Sequence, residues 1–225
     1  MIKDGILKGA KRAPFLGEPF KKALDHFRQD VLGREDFDPT ALLQFGLFMS
    51  MAVINILKEN EAKFGVDGQK AVNDALIKTG YDVGKEIIEG VEVPEDISPI
   101  ELMSYLATIV NTEAWTSIEE PTIEDEKNCS FNILWCPLQD IYKAFDCRVQ
   151  RYMVQGIINA FRDTNPFNKD YQVKFTKTIP AGAECCRFEI KEKEPGEPDD
   201  WENYSKLLEQ RAIKRMKKAN KAKKA

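Results

Sequence analysis

Apolar residues recur at three- and four-residue intervals through the first half of this chain, and at every second position through much of the second half. The first spacing belongs to helices and the second to half-buried strands. A helix is predicted from Gly17 to about Leu32, with Phe20, Ala23, Leu24, Phe27 and Val31 on one face and Gly33 as its stop. Asp38-Pro39 pairs a capping side chain with proline at the first helical position, and predicts a second helix to about Lys63, stopped by Gly65. Its apolar residues, from Leu42 through Phe45, Phe48 and Met51 to Leu57, run round much of the circumference. That pattern implies burial on several sides, in the core or at a subunit contact. A third helix is expected over about 67–89, where Gly80 and Gly84 lower helix propensity but admit a close backbone or ligand. Ser98, Pro99 and Glu101 form a capping box that opens a fourth helix to about Val110.

The period then shortens. Thr112–Glu120 is β-branched and aromatic and predicts a strand, interrupted by Pro121. Cys129–Cys136 predicts the next, with Phe131, Ile133 and Trp135 on one face and Ser130, Asn132, Leu134 and Cys136 on the other. Helices are expected over 138–145 and 148–161, then a turn at Asn165-Pro166. Tyr171–Ile179 alternates, residues 180–183 make a tight connection, and Glu184–Lys191 alternates again. In that last strand Cys186, Phe188 and Ile190 oppose Cys185, Arg187 and Glu189. An amphipathic helix over 201–216 follows. The fold class is therefore α+β: a helical N-terminal layer packed on a small, mostly antiparallel sheet with crossover helices, plus a C-terminal helix. The organisation is an arm (1–17), one domain (18–194, helical to 110 and sheet-containing from 111), and a linker with a basic helix (195–225).

Composition narrows the class. A hydrophobic share of 43% is that of a globular chain. The apolar run over 42–57 is broken by Gln44, Gly46, Ser50 and Asn55, so no membrane span is expected, and the protein reads as soluble and cytoplasmic. In a reducing compartment the five cysteines are free, catalytic or metal-bound rather than a disulfide framework. The net charge of −4 is unevenly spread: Arg211–Ala225 holds eight Lys and Arg and no acid, while Glu113–Glu126 holds six acids and no base. The last twenty residues contain no aromatic side chain to stack on a base, so this tail reads as a solvated helix end rather than a nucleic-acid contact. The single histidine, His26, sits on a helix where Asp25 and Phe27 point elsewhere, and reads as structural or exposed. There is no phosphate-binding glycine loop, no dinucleotide fingerprint and no Ser-His-Asp set.

Chemistry is expected between Cys129 and Ile190. Four cysteines lie in the two strands that bound this stretch, and Cys147 lies between them. No Cys-x-x-Cys pair occurs and histidine is nearly absent, so no metal and no cofactor are expected.

Trp135-Cys136-Pro137, Asn165-Pro166, the Tyr171–Ile179 strand and the Gly182–Phe188 segment with its adjacent Cys185 and Cys186 resemble the L-2-amino-thiazoline-4-carboxylic acid hydrolase family. That is a bacterial group tied to cysteine formation from a cyclic thiazoline. The layout is also distantly similar to vinyl-reductase-type small-molecule-binding domains. The likeness is best over 110–192, weaker over 40–110, and leaves out the first 17 residues and the tail. It implies hydrolysis of a carbon–nitrogen bond in a small carboxylate, which needs a nucleophile, a proton donor and a cation. Cys136, at a strand end before a predicted helix, is the candidate nucleophile; its other reading is a small buried hydrophobe beside proline. Glu113 or Glu119 could act as acid or base. Arg148, Arg151 or Arg187 could hold the carboxylate, with Trp135 and Cys186 beside them. Cys185 and Cys186 face opposite ways, so at most one of them meets a given site.

In this family a cysteine on the helix after Cys-Pro is often closely followed by aspartate. Here Cys147 is followed by Arg148, Val149, Gln150 and Arg151, and the next acid is Asp163. The departure keeps a second reading open, a non-catalytic small-molecule-binding or accessory protein. The expected partners are a small molecule and either a second copy or a larger complex, with the Phe- and Met-rich second helix as the contact.

Overall fold

The computed structural model describes residues 2–3, 6–7, 11–12, 21–92, 96–164 and 167–222. The predicted start of the first helix at Gly17 and the predicted turn at Asn165-Pro166 lie outside them, as does most of the predicted arm. Near the start, Ile2–Lys3 pairs with Ile6–Leu7, and Lys11–Arg12 pairs with Val91–Glu92.

Six α-helices and one four-stranded sheet organise the remaining described residues. Helix α1 spans Lys21–His26 and continues as a π-helical turn over Phe27–Val31. His26 is exposed and its Nδ1 lies 2.7 Å from Asp30 Oδ2, one helical turn on. Helix α2 spans Thr40–Phe64. Its start signal is used as expected, since Asp38 Oδ1 accepts the Thr40 N–H at 2.9 Å. It ends at Gly65, whose φ of 63° is the left-handed geometry that favours glycine. Helix α3 (Val66–Gly90) follows at once. Helix α4 spans Pro99–Ile109, and both halves of the Ser98–Glu101 capping box are formed.

Two expectations for the middle of the chain are corrected. Residues 112–114 are not a strand: α4 runs on through a π-helical turn, Val110–Ala114, which buries Val110 and Asn111. Strand β1 begins only at Ile118 and runs to Ile123, with Pro121 inside it. It is an edge strand, where proline's missing N–H costs little. Residues 138–145 are not a helix but a chain of turns. Gln139 Oε1 accepts the Cys136 N–H and Asp146 Oδ2 accepts the Lys143 N–H. Such local side-chain bonds compete with a helix, and so short a segment gains little from cooperativity.

Strand β2 (Asn128–Trp135), helix α5 (Arg148–Thr164), strand β3 (Tyr171–Lys177), strand β4 (Cys186–Glu192) and helix α6 (Asp200–Ala222) complete the fold. The sheet is antiparallel throughout, in the order β1-β2-β4-β3. The fold is α+β. Alternation sets its faces: Cys129, Phe131 and Ile133 of β2 point inward with Cys186, Phe188 and Ile190 of β4. Arg187 points outward to Glu124, Glu189 and Asn132.

The main core lies between the sheet, α4, α5 and Trp201 of α6. A smaller one joins α2, α3 and α5 to Leu138 and Tyr142. Cys136 packs against both. Helices α3 and α5 cross through glycine. A Cβ on Gly80 would collide with the Met153 carbonyl, one on Gly156 with that of Ile77, and one on Gly84 would lie 2.9 Å from Ile157 Cα. The expected close approach at Gly80 and Gly84 is thus to another backbone.

Candidate functional site

Strand β2 ends at Trp135 because Pro137 cannot continue it, and the chain turns inward. The turn carries Cys136 off the sheet into the space between the two cores. There it lines a cavity of about 40 Å³ together with Cys147, at the head of α5, and Cys186, on the inner face of β4. Five uncharged polar side chains share the wall: Asn111, Ser117, Gln139, Gln150 and Thr178. A second cavity of about 40 Å³ lies deeper in the main core and is almost wholly apolar. Asn111, Trp115, Val154 and Phe188 line both, and so form the partition. Each volume exceeds the roughly 10–15 Å³ that a water needs, but neither cavity alone admits more than a small group.

The partition is held under strain. Thr116, next to Trp115, has a φ of 51°, which a β-branched residue rarely adopts. Asn111 is buried and its Nδ2 donates to Glu119 Oε2 at 2.6 Å. Burial raises the Glu119 carboxyl above the ordinary carboxylate range, outweighing the Thr108 hydroxyl and Asn111 amide, which favour its charged form. Glu119 thus acts on the cavity through Asn111.

Burial raises all three cavity thiols. Cys147 is pushed up to about 12, with Cys186, Cys136 and Asp146 adding negative neighbours. Cys186 is raised by burial too, although its sulfur accepts the Ile179 N–H at 3.2 Å. Cys136 is raised by burial as well, with the Leu138 and Gln139 N–H groups and the Gln150 and Ser117 side chains pulling the other way. Among the described residues no group of three or more His, Cys, Asp or Glu side chains is placed to hold a metal ion.

The fold thus brings Cys136 and Cys186 together, with Glu119 one residue behind them. The side chain of Glu113 lies outside the described residues. Trp135 is half-buried at the end of β2, paired with Ile118, and lines neither cavity. Arg148 is buried and its Nη2 contacts both Glu61 oxygens, at 2.9 and 2.8 Å, tying α5 to α2. Arg151 donates to the Trp201 carbonyl at 2.6 Å and to Ser205 Oγ at 2.8 Å, and lies 3.7 Å from the Trp201 ring centroid. Burial lowers it to about 10, still cationic at neutral pH. With Arg187 on the outer face, no Lys or Arg among the described residues lines either cavity.

Sequence reasoning missed Asn111, Trp115, Ser117, Gln139, Gln150 and Thr178. A signal for the first was present. Ser104, Thr108 and Asn111 interrupt an otherwise apolar helix at i, i+4 and i+7, and all three are buried. Polar residues repeating on one buried face mark a face that meets polar groups.

The sequence model of the L-2-amino-thiazoline-4-carboxylic acid hydrolase family matches residues 46–190. An uncharacterized protein of Archaeoglobus fulgidus is 45% identical over 201 residues, 87% of this chain and 88% of that protein. Among solved structures, trafficking protein particle complex subunit 3 from Naegleria fowleri, covalently bound to palmitic acid, superposes with a TM-score of 0.47 at 14% identity. That match covers 66% of this chain and 95% of the other.

Proposed function

Since the chain belongs to the L-2-amino-thiazoline-4-carboxylic acid hydrolase family, we propose that it hydrolyses a carbon–nitrogen bond of a small molecule whose reacting group enters the thiol-lined cavity, with Cys136 as nucleophile. The observation that carries this reading is the placement of Cys136 on a cavity wall that it shares with the polar side chains of Ser117, Gln139 and Gln150. Donors to sulfur stabilise the thiolate that must form during attack. In an amide, the sulfur bonds to the carbonyl carbon as the carbon–nitrogen bond breaks, and the thiol proton passes to the departing nitrogen. Water then cleaves the acyl–sulfur bond, releasing the acid and restoring the thiol. Asn111, held by Glu119, is a positioning residue on the cavity wall.

One observation favours the second reading, a binding or accessory protein. Among the described residues no cation lines the cavity to hold a substrate carboxylate, so a neutral molecule suits it better. The test is turnover of cyclic thiazoline and amide substrates, with and without a carboxylate. Turnover is expected to vanish in Cys136→Ser and Cys136→Ala and to persist in Cys147→Ala, with all three folded by circular dichroism. Full activity in both Cys136 variants removes Cys136 as nucleophile. An inactive wild type that releases a small organic mass on denaturation supports the binding reading.

A further inference from the structure

Helix α2 is apolar on two opposite faces, and the described residues of the domain cover only one. Leu47, Ser50, Ile54, Leu57 and Glu61 follow a helical stripe that turns into the protein. Ile54, Leu57 and Glu61 are buried, and the Ser50 carbonyl accepts the Tyr142 hydroxyl at 3.0 Å. The opposite stripe is open: Leu42 is 51% exposed, Phe45 65%, Phe48 67%, Met49 48%, Met51 42% and Ile56 54%. No charged residue occurs from Pro39 to Leu57. Six such side chains present roughly 600 Å², the upper end of what a monomer leaves exposed.

We propose that this face is the contact between two copies of the chain, paired antiparallel through α2 about a two-fold axis near Met49. Two faces of this size bury roughly 1,200 Å², which reaches the range of specific dimers. The stripe is self-complementary in this direction. Phe45 of one copy falls level with Val53 of the other, and Leu42 with Ile56. The same pairing brings the acidic turn Glu35–Asp38 near Lys63 of the second copy. A parallel pair would instead stack these like-charged turns on each other.

A bilayer fits the face less well. Although α2 is long and apolar enough by composition to cross a membrane, its other face is packed into the domain. The part exposed on every side, Thr40–Gly46, is about 10 Å long against the roughly 30 Å of a hydrocarbon core. The flanking acids Glu35, Asp36 and Asp38 would also repel an anionic lipid surface.

The test is sedimentation of the full-length chain at physiological salt. A species of twice the 25.7 kDa chain mass is expected. Phe45→Glu combined with Phe48→Glu should weaken association at least about 100-fold, because like charges would meet across the axis. Both positions are exposed, so circular dichroism should be unchanged. Met49→Lys, at the axis, is a second variant expected to act the same way. A wild type that stays monomeric at tens of micromolar overturns the proposal. So does a dimer that survives both sets of substitutions, or flotation of the wild type with neutral phosphatidylcholine vesicles.

Discussion

Glu119 shows how one side chain can carry a cost that its neighbours only partly offset. Its folded carboxyl is raised above the ordinary value of 4.5. Such a group favours the folded state below its unfolded pKa, and that contribution is lost as pH rises through the folded value. Glu119→Gln keeps an acceptor for Asn111 and removes the buried charge. It is expected to raise Tm over wild type at pH 7.5 and to leave Tm unchanged at pH 4, as followed by thermal melts at both values. The cysteines diverge at the same scale. Cys129, 1% exposed and pushed up to about 12, is held as a packed thiol, whereas Cys136 lines a cavity. Alternation alone placed Cys186 inward and Arg187 outward. The inward turn of Cys136 could not be read from alternation, because Pro137 takes that residue out of the sheet.

At the scale of elements, the α3–α5 crossing decides how the helical layer sits on the sheet. Glycine in a helix ordinarily costs about 1 kcal/mol against alanine, so Gly80→Ala would stabilise an isolated α3. Here the added Cβ meets the Met153 carbonyl, and the helices must part. The variant is expected to lose at least about 2 kcal/mol in urea denaturation. An unchanged or improved midpoint would show that the crossing can open without cost. Local signals read well where they are self-contained, as at Asp38, Gly65 and the Ser98–Glu101 box. They failed at 112–114 and 138–145, where propagation of α4 and side-chain bonds to the backbone outweighed propensity.

At the scale of the molecule, α6 packs onto the sheet and the helical layer. Trp201 is 1% exposed, its ring centroid lies 5.0 Å from that of Phe175, and Leu208, Ala212 and Ile213 are buried beyond it. Ending the chain at Pro195 removes all of these. Loss of one buried tryptophan alone costs about 3–5 kcal/mol, so this truncation is expected to be unfolded by circular dichroism. Ending it at Lys217 removes the last basic residues and is expected to change stability by less than about 0.5 kcal/mol.

The chain's own patterning determined the class of fold, most of its helices and strands, and the inward faces of β2 and β4. These follow from periodicity, caps and turns, which act over a few residues and leave a mark in them. Tertiary structure alone decided which candidates meet. Cys136, Cys147 and Cys186 share one wall although Cys147 has no strand position to announce it. Arg148 and Arg151 look like substrate cations in the sequence, yet Glu61 and the Trp201 carbonyl engage them elsewhere. A cation's partner is set by packing between elements far apart in the chain, and no local pattern records it. The open face of α2 is the converse case. Its apolar circumference was plain in the sequence, but only the packed fold separates the face that the domain uses from the one it leaves uncovered.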